Sequence, residues 1–91
     1  MEIREDLPGA DLVEAGLRDL GAGRQSAAAL LVASFSSRLR RLGLAVPDSG
    51  IADPEVRLYR LLERTTPNAH HHYNALRRRL VSFAEARECV P

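Results

Sequence analysis

The spacing of apolar residues near the end of the chain limits the fold more than any other feature of the sequence. Steps of four and three residues keep side chains on one face of an α-helix, because the helix repeats about every 3.6 residues. The pattern predicts a long amphipathic helix over residues 68–88, whose apolar face other elements must cover. Apolar side chains follow these steps at Ala69, Tyr73, Leu76, Leu80 and Phe83.

A second run of apolar residues predicts another long helix, over residues 24–42. Residues 27–33 are apolar at every position, which is typical of a helix that is covered on several sides. An apolar stripe then continues to Leu42. Gly43 is well placed to end the helix in a left-handed conformation, and Pro47 prevents the helix from continuing.

Two shorter helices are predicted from the residues at their ends. The first covers residues 9–20, because Pro8 suits a helix start and glycines follow at positions 21 and 23. The second covers residues 54–64, where Asp53 can cap the helix and Pro54 suits its first position. Together the four patterns predict an all-α fold.

We therefore expect one compact four-helix domain over residues 9–91, preceded by an N-terminal arm of residues 1–8. At 1.5 Å per residue, the two long helices would each span about 30 Å and the two short ones about 16 Å. The short helices cannot cover the long ones fully, so some apolar surface is expected to meet a second subunit. The residues expected in the core are Leu17, Leu31, Phe35, Leu39, Leu62, Tyr73, Leu76, Leu80 and Phe83.

Composition excludes several chemistries. All 13 basic residues are arginines, so mechanisms that need a Schiff-base lysine or a phosphate-loop lysine are ruled out. The preference for arginine and the abundance of alanine are typical of a GC-rich bacterial genome. A formal net charge of +1 gives no overall attraction to nucleic acid or to an anionic membrane.

Cysteine content and hydropathy favour a cytoplasmic protein. Cys89 is the single cysteine, so no disulfide can form within the chain, which suits a reducing compartment. No signal-peptide pattern is visible at the start of the sequence. The longest apolar run, residues 27–33, is too short for a bilayer, which takes about 20 residues, and we expect no membrane association.

One short segment resembles a known catalytic motif. Arg64 and His70 flank the sequence Thr-Thr-Pro-Asn-Ala, and an arginine followed closely by a histidine in a helical bundle is similar to the signature of HEPN-family ribonucleases. The resemblance implies that Arg64 would stabilise phosphate charge on RNA while His70 moved a proton. Pro67 interrupts the segment, whereas the family's pair lies on one continuous helix. The alternative is that Arg64 only favours the end of its helix and His70 is exposed.

Two runs of three identical residues lie on the last predicted helix. The histidines at positions 70–72 point about 100° apart, so one helix cannot direct all three to one metal ion. We expect neither a metal site nor a cofactor. Arg77, Arg78 and Arg79 could contact phosphate or nucleic acid. The alternative is that these arginines solvate the outer face and pair with nearby glutamates.

We favour a non-catalytic protein–protein interaction or regulatory module, either a homodimer or a subunit that completes a protein partner. No nucleophile elbow, phosphate-binding glycine loop or pair of facing carboxylates is recognisable in the sequence, which makes an enzyme the less favoured interpretation. One alternative is a HEPN-like ribonuclease or toxin–antitoxin component. The other is a helical nucleic-acid-binding protein that uses the three arginines of the last helix.

Overall fold

The computed structural model describes residues 6–89, and these residues form α-helices joined by turns and loops, without a β-strand. The predicted all-α fold is confirmed. Most of the predicted arm, residues 1–5, lies outside the described residues, as do residues 90–91. The helices are α1 (Ala10–Gly21), α2 (Ala27–Ser34), α3 (Ser36–Arg41), α4 (Pro54–Thr65) and α5 (Ala69–Glu88).

The short helix α2 lies at the centre of the fold. Its residues Ala29, Leu30, Leu31 and Val32 are all buried, and the helix packs against both α1 and α4. The unbroken apolar run predicted burial on several sides, and the structure confirms it. Helix α5, which has the clearest sequence pattern, packs against α4 and α1, so it closes the core from the outside.

The prediction of a single helix over residues 24–42 is wrong. The helix begins at Ala27, because the Ser26 hydroxyl accepts a hydrogen bond from the Ala29 amide at 3.1 Å and thereby caps the first turn. Phe35 leaves helical geometry, with φ −104° and ψ 12°, and separates α2 from α3. Residues 6–89 therefore contain five helices, where four were expected.

A local hydrogen bond accompanies the break at Phe35. The Ser34 hydroxyl donates to the Leu31 carbonyl at 2.7 Å, and the Phe35 amide is shared between the carbonyls of Leu31 and Val32. Serine hydroxyls that bond back to the preceding turn tend to bend helices. Phe35, at the break, is half-buried and lies beside Arg77 of α5.

The start of α2 is fastened to the end of α1. Asp19 accepts hydrogen bonds from the Ser26 hydroxyl at 2.6 Å and from Arg24 Nε at 3.1 Å. The Ser26 hydrogen bond, followed by that of Arg24, lowers the pKa of the Asp19 carboxyl below its usual value. One serine thus caps α2 and joins it to α1.

The predicted end of the second helical segment is confirmed at Gly43. This glycine has a φ of 90°, and its amide donates to the Arg40 carbonyl at 3.0 Å. The Leu44 amide donates to the Leu39 carbonyl at 3.1 Å, and the Leu44 side chain is buried. This pattern of two hydrogen bonds and one apolar contact is the Schellman motif.

Helix α4 starts at Pro54, as predicted, but without the predicted side-chain cap. Asp53 precedes Pro54, as expected, yet its side chain makes no capping hydrogen bond. Its backbone is left-handed, with a φ of 48°. The helix start therefore depends on proline, which presets the backbone angle and lacks an amide to satisfy.

The predicted core is confirmed in full for some residues and in part for others. The chain extends over 40 × 26 × 18 Å, and a domain this small leaves many side chains only half covered. Leu31, Leu39, Leu62, Leu80 and Phe83 are buried, whereas Leu17, Phe35, Tyr73 and Leu76 are partly buried against them.

Candidate interaction surface

Aromatic side chains form a continuous row where α4, α5 and the break before α3 meet. The rings of Tyr59 and Tyr73 lie edge to face, with centroids 5.5 Å apart and planes at 66°, and His70 lies 6.3 Å from Tyr59. The Arg77 guanidinium carbon lies 5.7 Å from the Phe35 ring centroid and 5.9 Å from that of Tyr73. We call these five residues the aromatic face.

Two features position the aromatic face: the spacing of residues within α5, and two contacts that join α5 to α3 and to the residue after it. His70, Tyr73 and Arg77 are three and four residues apart, so they share one side of α5. Helix α3 is held against the end of α5 by an ion pair of 3.1 Å between Arg38 and Glu88. Arg87 Nε also donates to the carbonyl of Leu42, just after α3, at 3.0 Å. These ties hold Phe35 beside Arg77.

The aromatic face is partly covered by protein and partly open to solvent. Phe35, Tyr59 and Tyr73 are half-buried, whereas His70 and Arg77 are exposed. A guanidinium within about 6 Å of an aromatic ring centroid is attracted to the ring, and the stem of the arginine side chain is apolar. The face therefore offers both apolar area and hydrogen-bond donors to a second molecule.

The Tyr73 hydroxyl is neutral and points to an acid. Its Oη donates to Glu55 Oε2 at 3.4 Å. Burial raises the pKa of the Tyr73 phenol, the Glu55 carboxylate raises it further, and Arg77 lowers it in part. The face therefore carries a negative group, Glu55, on the hydroxyl side of Tyr73 and a positive group, Arg77, at its ring.

The three consecutive arginines of α5 have three different surroundings. Arg79 donates from Nη2 to both carboxylate oxygens of Asp11 on α1, at 3.0 Å each, and this hydrogen bond lowers the pKa of Asp11. Arg78 Nε lies 3.4 Å from the Asn74 carbonyl, to which it donates. Arg77 lies against the rings of the aromatic face. The structure therefore divides the predicted phosphate-contacting triplet, and one of its members ties α5 to α1.

The structure places Arg64 and His70 in different depressions. Arg64 lines a depression beside Leu30 of α2, whereas His70 lines another beside Tyr59 and Pro67. The Nε2 atom of His70 lies 3.2 Å from the Asn74 side-chain amide. Glu63 lines both depressions, so the two are neighbours, and the pairing of Arg64 with His70 on a phosphate stays a prediction.

The residues that could bind a metal are dispersed. Within residues 6–89, no three histidine, cysteine or acidic side chains lie close enough together to hold a metal ion. Cys89 is an exposed free thiol at the end of α5. None of the helices in this part of the chain is long and apolar enough to cross a membrane.

Comparison of the chain with protein-family models, with curated proteins and with solved structures finds no match. What the aromatic face can bind is therefore argued from its own geometry. The aromatic face is the region where apolar and charged groups come together from three different helical segments.

Proposed function

We propose that this protein is a non-catalytic helical interaction module that self-associates as a homodimer through the aromatic face. The observation that carries the proposal is the half-exposed row of Phe35, Tyr59 and Tyr73, with the Arg77 guanidinium carbon within 5.9 Å of two of the ring centroids. Tyrosine, phenylalanine and arginine are enriched in protein interfaces and provide many of their strongest contacts.

The remaining apolar surface of the molecule supports this location. Val56, at 48% exposure, is the one large hydrophobic side chain exposed among residues 6–89. It lies three residues before Tyr59, which makes the two side chains neighbours on α4. We expected uncovered apolar surface on one of the two long predicted helices, and the first half of α5 carries the half-buried Tyr73 and Leu76. Val56 adds apolar surface on the short helix α4, where none was expected.

Charge placement favours a second copy of this chain as the partner. Glu55 and Arg77 lie on either side of Tyr73, so the face carries both signs of charge. A two-fold axis near Tyr73 would bring Glu55 of one protomer towards Arg77 of the other, as a self-complementary interface requires. Dimerisation would also add stability to a domain whose small size limits its core.

The first test is the oligomeric state across micromolar concentrations, measured by sedimentation equilibrium with Val56→Glu as the disrupting variant. Val56 is exposed, so the substitution leaves the monomer fold intact, but it would bury a charge in the dimer. We expect a wild-type dimer and an affinity at least about tenfold weaker for the variant, which corresponds to about 1.4 kcal/mol. Ser82→Glu is the matched control, because Ser82 is exposed and lies about two and a half turns along α5 from Tyr73, on the opposite side of the helix.

A charge exchange tests the two-fold pairing itself. Arg77→Glu and Glu55→Arg should each weaken the dimer, and the double variant should recover much of the affinity because opposite charges again face each other. A wild-type protein that stays monomeric throughout would overturn the proposal. Equal losses in Val56→Glu and Ser82→Glu would place the interface elsewhere.

A further inference from the structure

A row of arginines lies on the side of α4 away from the aromatic face. Arg57, Arg60 and Arg64 are three and four residues apart, so their side chains share one side of the helix. All three are exposed, and they line one open depression of about 640 Å³ beside the start of α2. We call these three residues the arginine row.

The arginine row has few internal partners. Arg57 donates from Nε to the Ala52 carbonyl at 3.1 Å and from Nη1 to Gln25 Oε1 at 3.3 Å, so its guanidinium is held in place. Within residues 6–89, no carboxylate forms an ion pair with Arg60 or Arg64. Glu63 is the one acid among the described lining residues, so positive charge predominates.

The start of α2 adds to this positive potential. Gln25 and Leu30, on either side of the first turn of α2, line the same depression. The amides of a first helical turn carry the positive end of the helix dipole; the Ser26 hydroxyl accepts from the Ala29 amide and the Ser26 carbonyl from the Leu30 amide. The side-chain amide nitrogen of Gln25 is a further donor, because its oxygen is the atom that accepts from Arg57.

We propose that the arginine row binds the phosphate backbone of a single nucleic-acid strand. Arg57 and Arg64 are about 10 Å apart along the helix axis, a length that covers a few consecutive phosphates of one strand. Three guanidinium groups can therefore contact neighbouring phosphates of one strand. Guanidinium suits this task because its planar donors match phosphate oxygens in pairs.

The lining of the depression predicts binding without base preference. Its described lining residues include no aromatic side chain, so no ring is present there on which bases could stack. Contacts to phosphate position a strand but carry no sequence information. The arginine row lies on α4 and is distinct from the arginine triplet of α5. In that triplet, Arg79 is already bonded to Asp11.

The test is fluorescence anisotropy with a labelled single-stranded oligonucleotide of mixed sequence, titrated with wild-type protein at several salt concentrations. Three phosphate contacts predict that log K falls with log salt with a slope of about −2, from about 0.7 per contact on a single strand. Oligonucleotides of different base composition should bind equally well. Absence of binding at low salt would overturn the proposal.

Two triple variants of equal charge locate the binding surface. Arg57→Gln, Arg60→Gln and Arg64→Gln together should weaken binding at least about tenfold at low salt, because all three phosphate contacts are removed. The control combines Arg18→Gln, Arg41→Gln and Arg78→Gln, which changes the net charge identically at exposed positions and should leave affinity within about threefold. Equal losses in both variants would show attraction by overall charge alone and would overturn the proposal.

Two further measurements make the result specific. Arg60→Gln alone removes an exposed side chain without an ion pair in the described part of the chain, so it keeps the fold and should reduce the salt slope by about one third. A polyglutamate peptide of equal charge tests acidic protein as the ligand. If the peptide binds to the row as tightly as the oligonucleotide, the assignment to nucleic acid is wrong.

Discussion

Gly16 shows how a single residue sets the distance between two helices. It is buried in α1, and a Cβ atom at this position would lie 2.3 Å from Val32 Cγ2 and 2.5 Å from the Ala28 carbonyl oxygen. Glycine inside a helix normally lowers stability relative to alanine. Here the missing side chain lets α1 approach α2 closely, so the cost to α1 is offset by packing at the centre of the fold.

Gly16→Ala should lower the free energy of unfolding by about 1–3 kcal/mol, because the added methyl group forces the two helices apart. Gly21→Ala is the matched control, since Gly21 is also helical but its Cβ would have no atom within 4 Å. That control should be neutral or stabilising by up to about 1 kcal/mol. Urea denaturation measures both, and equal effects would mean that α1 and α2 are not in close contact at Gly16.

The candidate site was only partly predictable from the sequence, and individual residues show why. Tyr73 was expected in the core from its helical spacing, yet it is half-buried because its surroundings come from α4 and the break at Phe35. Spacing within one helix cannot reveal contacts between elements. Three consecutive arginines suggested one patch, but consecutive helical residues point about 100° apart. The spacing of Arg57, Arg60 and Arg64 was the signal for a shared side.

At the scale of elements, the ends of α1, α4 and α5 follow from sequence because proline, glycine and apolar spacing act locally. The break between α2 and α3 does not, because neither glycine nor proline stands at position 35. It coincides with the Ser34 hydrogen bond and with ties from α5 to α3. These ties involve residues far apart in the chain, which a local pattern cannot report.

The two halves of α5 should differ in their contribution to stability. Leu80 is fully buried, so Leu80→Ala should cost about 2–5 kcal/mol. Leu76 is only partly buried, so Leu76→Ala should cost clearly less, on the order of 1 kcal/mol, although its sequence pattern alone suggested full burial. Chemical denaturation at low protein concentration measures both. Equal costs would mean that the first half of α5 is as well covered as the second.

At the scale of the whole molecule, α4 separates two surfaces. Tyr59 and Arg57 are two residues apart, which is about 200° around the helix, so these two side chains leave α4 on different sides. Arg60 is four residues from Val56 and is its neighbour on α4, so it lies at the boundary between the two surfaces. The proposed dimer would leave Arg57 and Arg64 of each protomer outside the interface.

Residue-resolved NMR on dilution is the sharpest test of self-association through the aromatic face. Amide and side-chain signals would be compared between high and low micromolar protein in the same buffer. A dimer formed through this face predicts concentration-dependent shifts centred on Val56, Tyr59, Tyr73 and Arg77, with Arg57 and Arg64 unchanged. Signals that do not depend on concentration, or shifts centred on another surface, would contradict it.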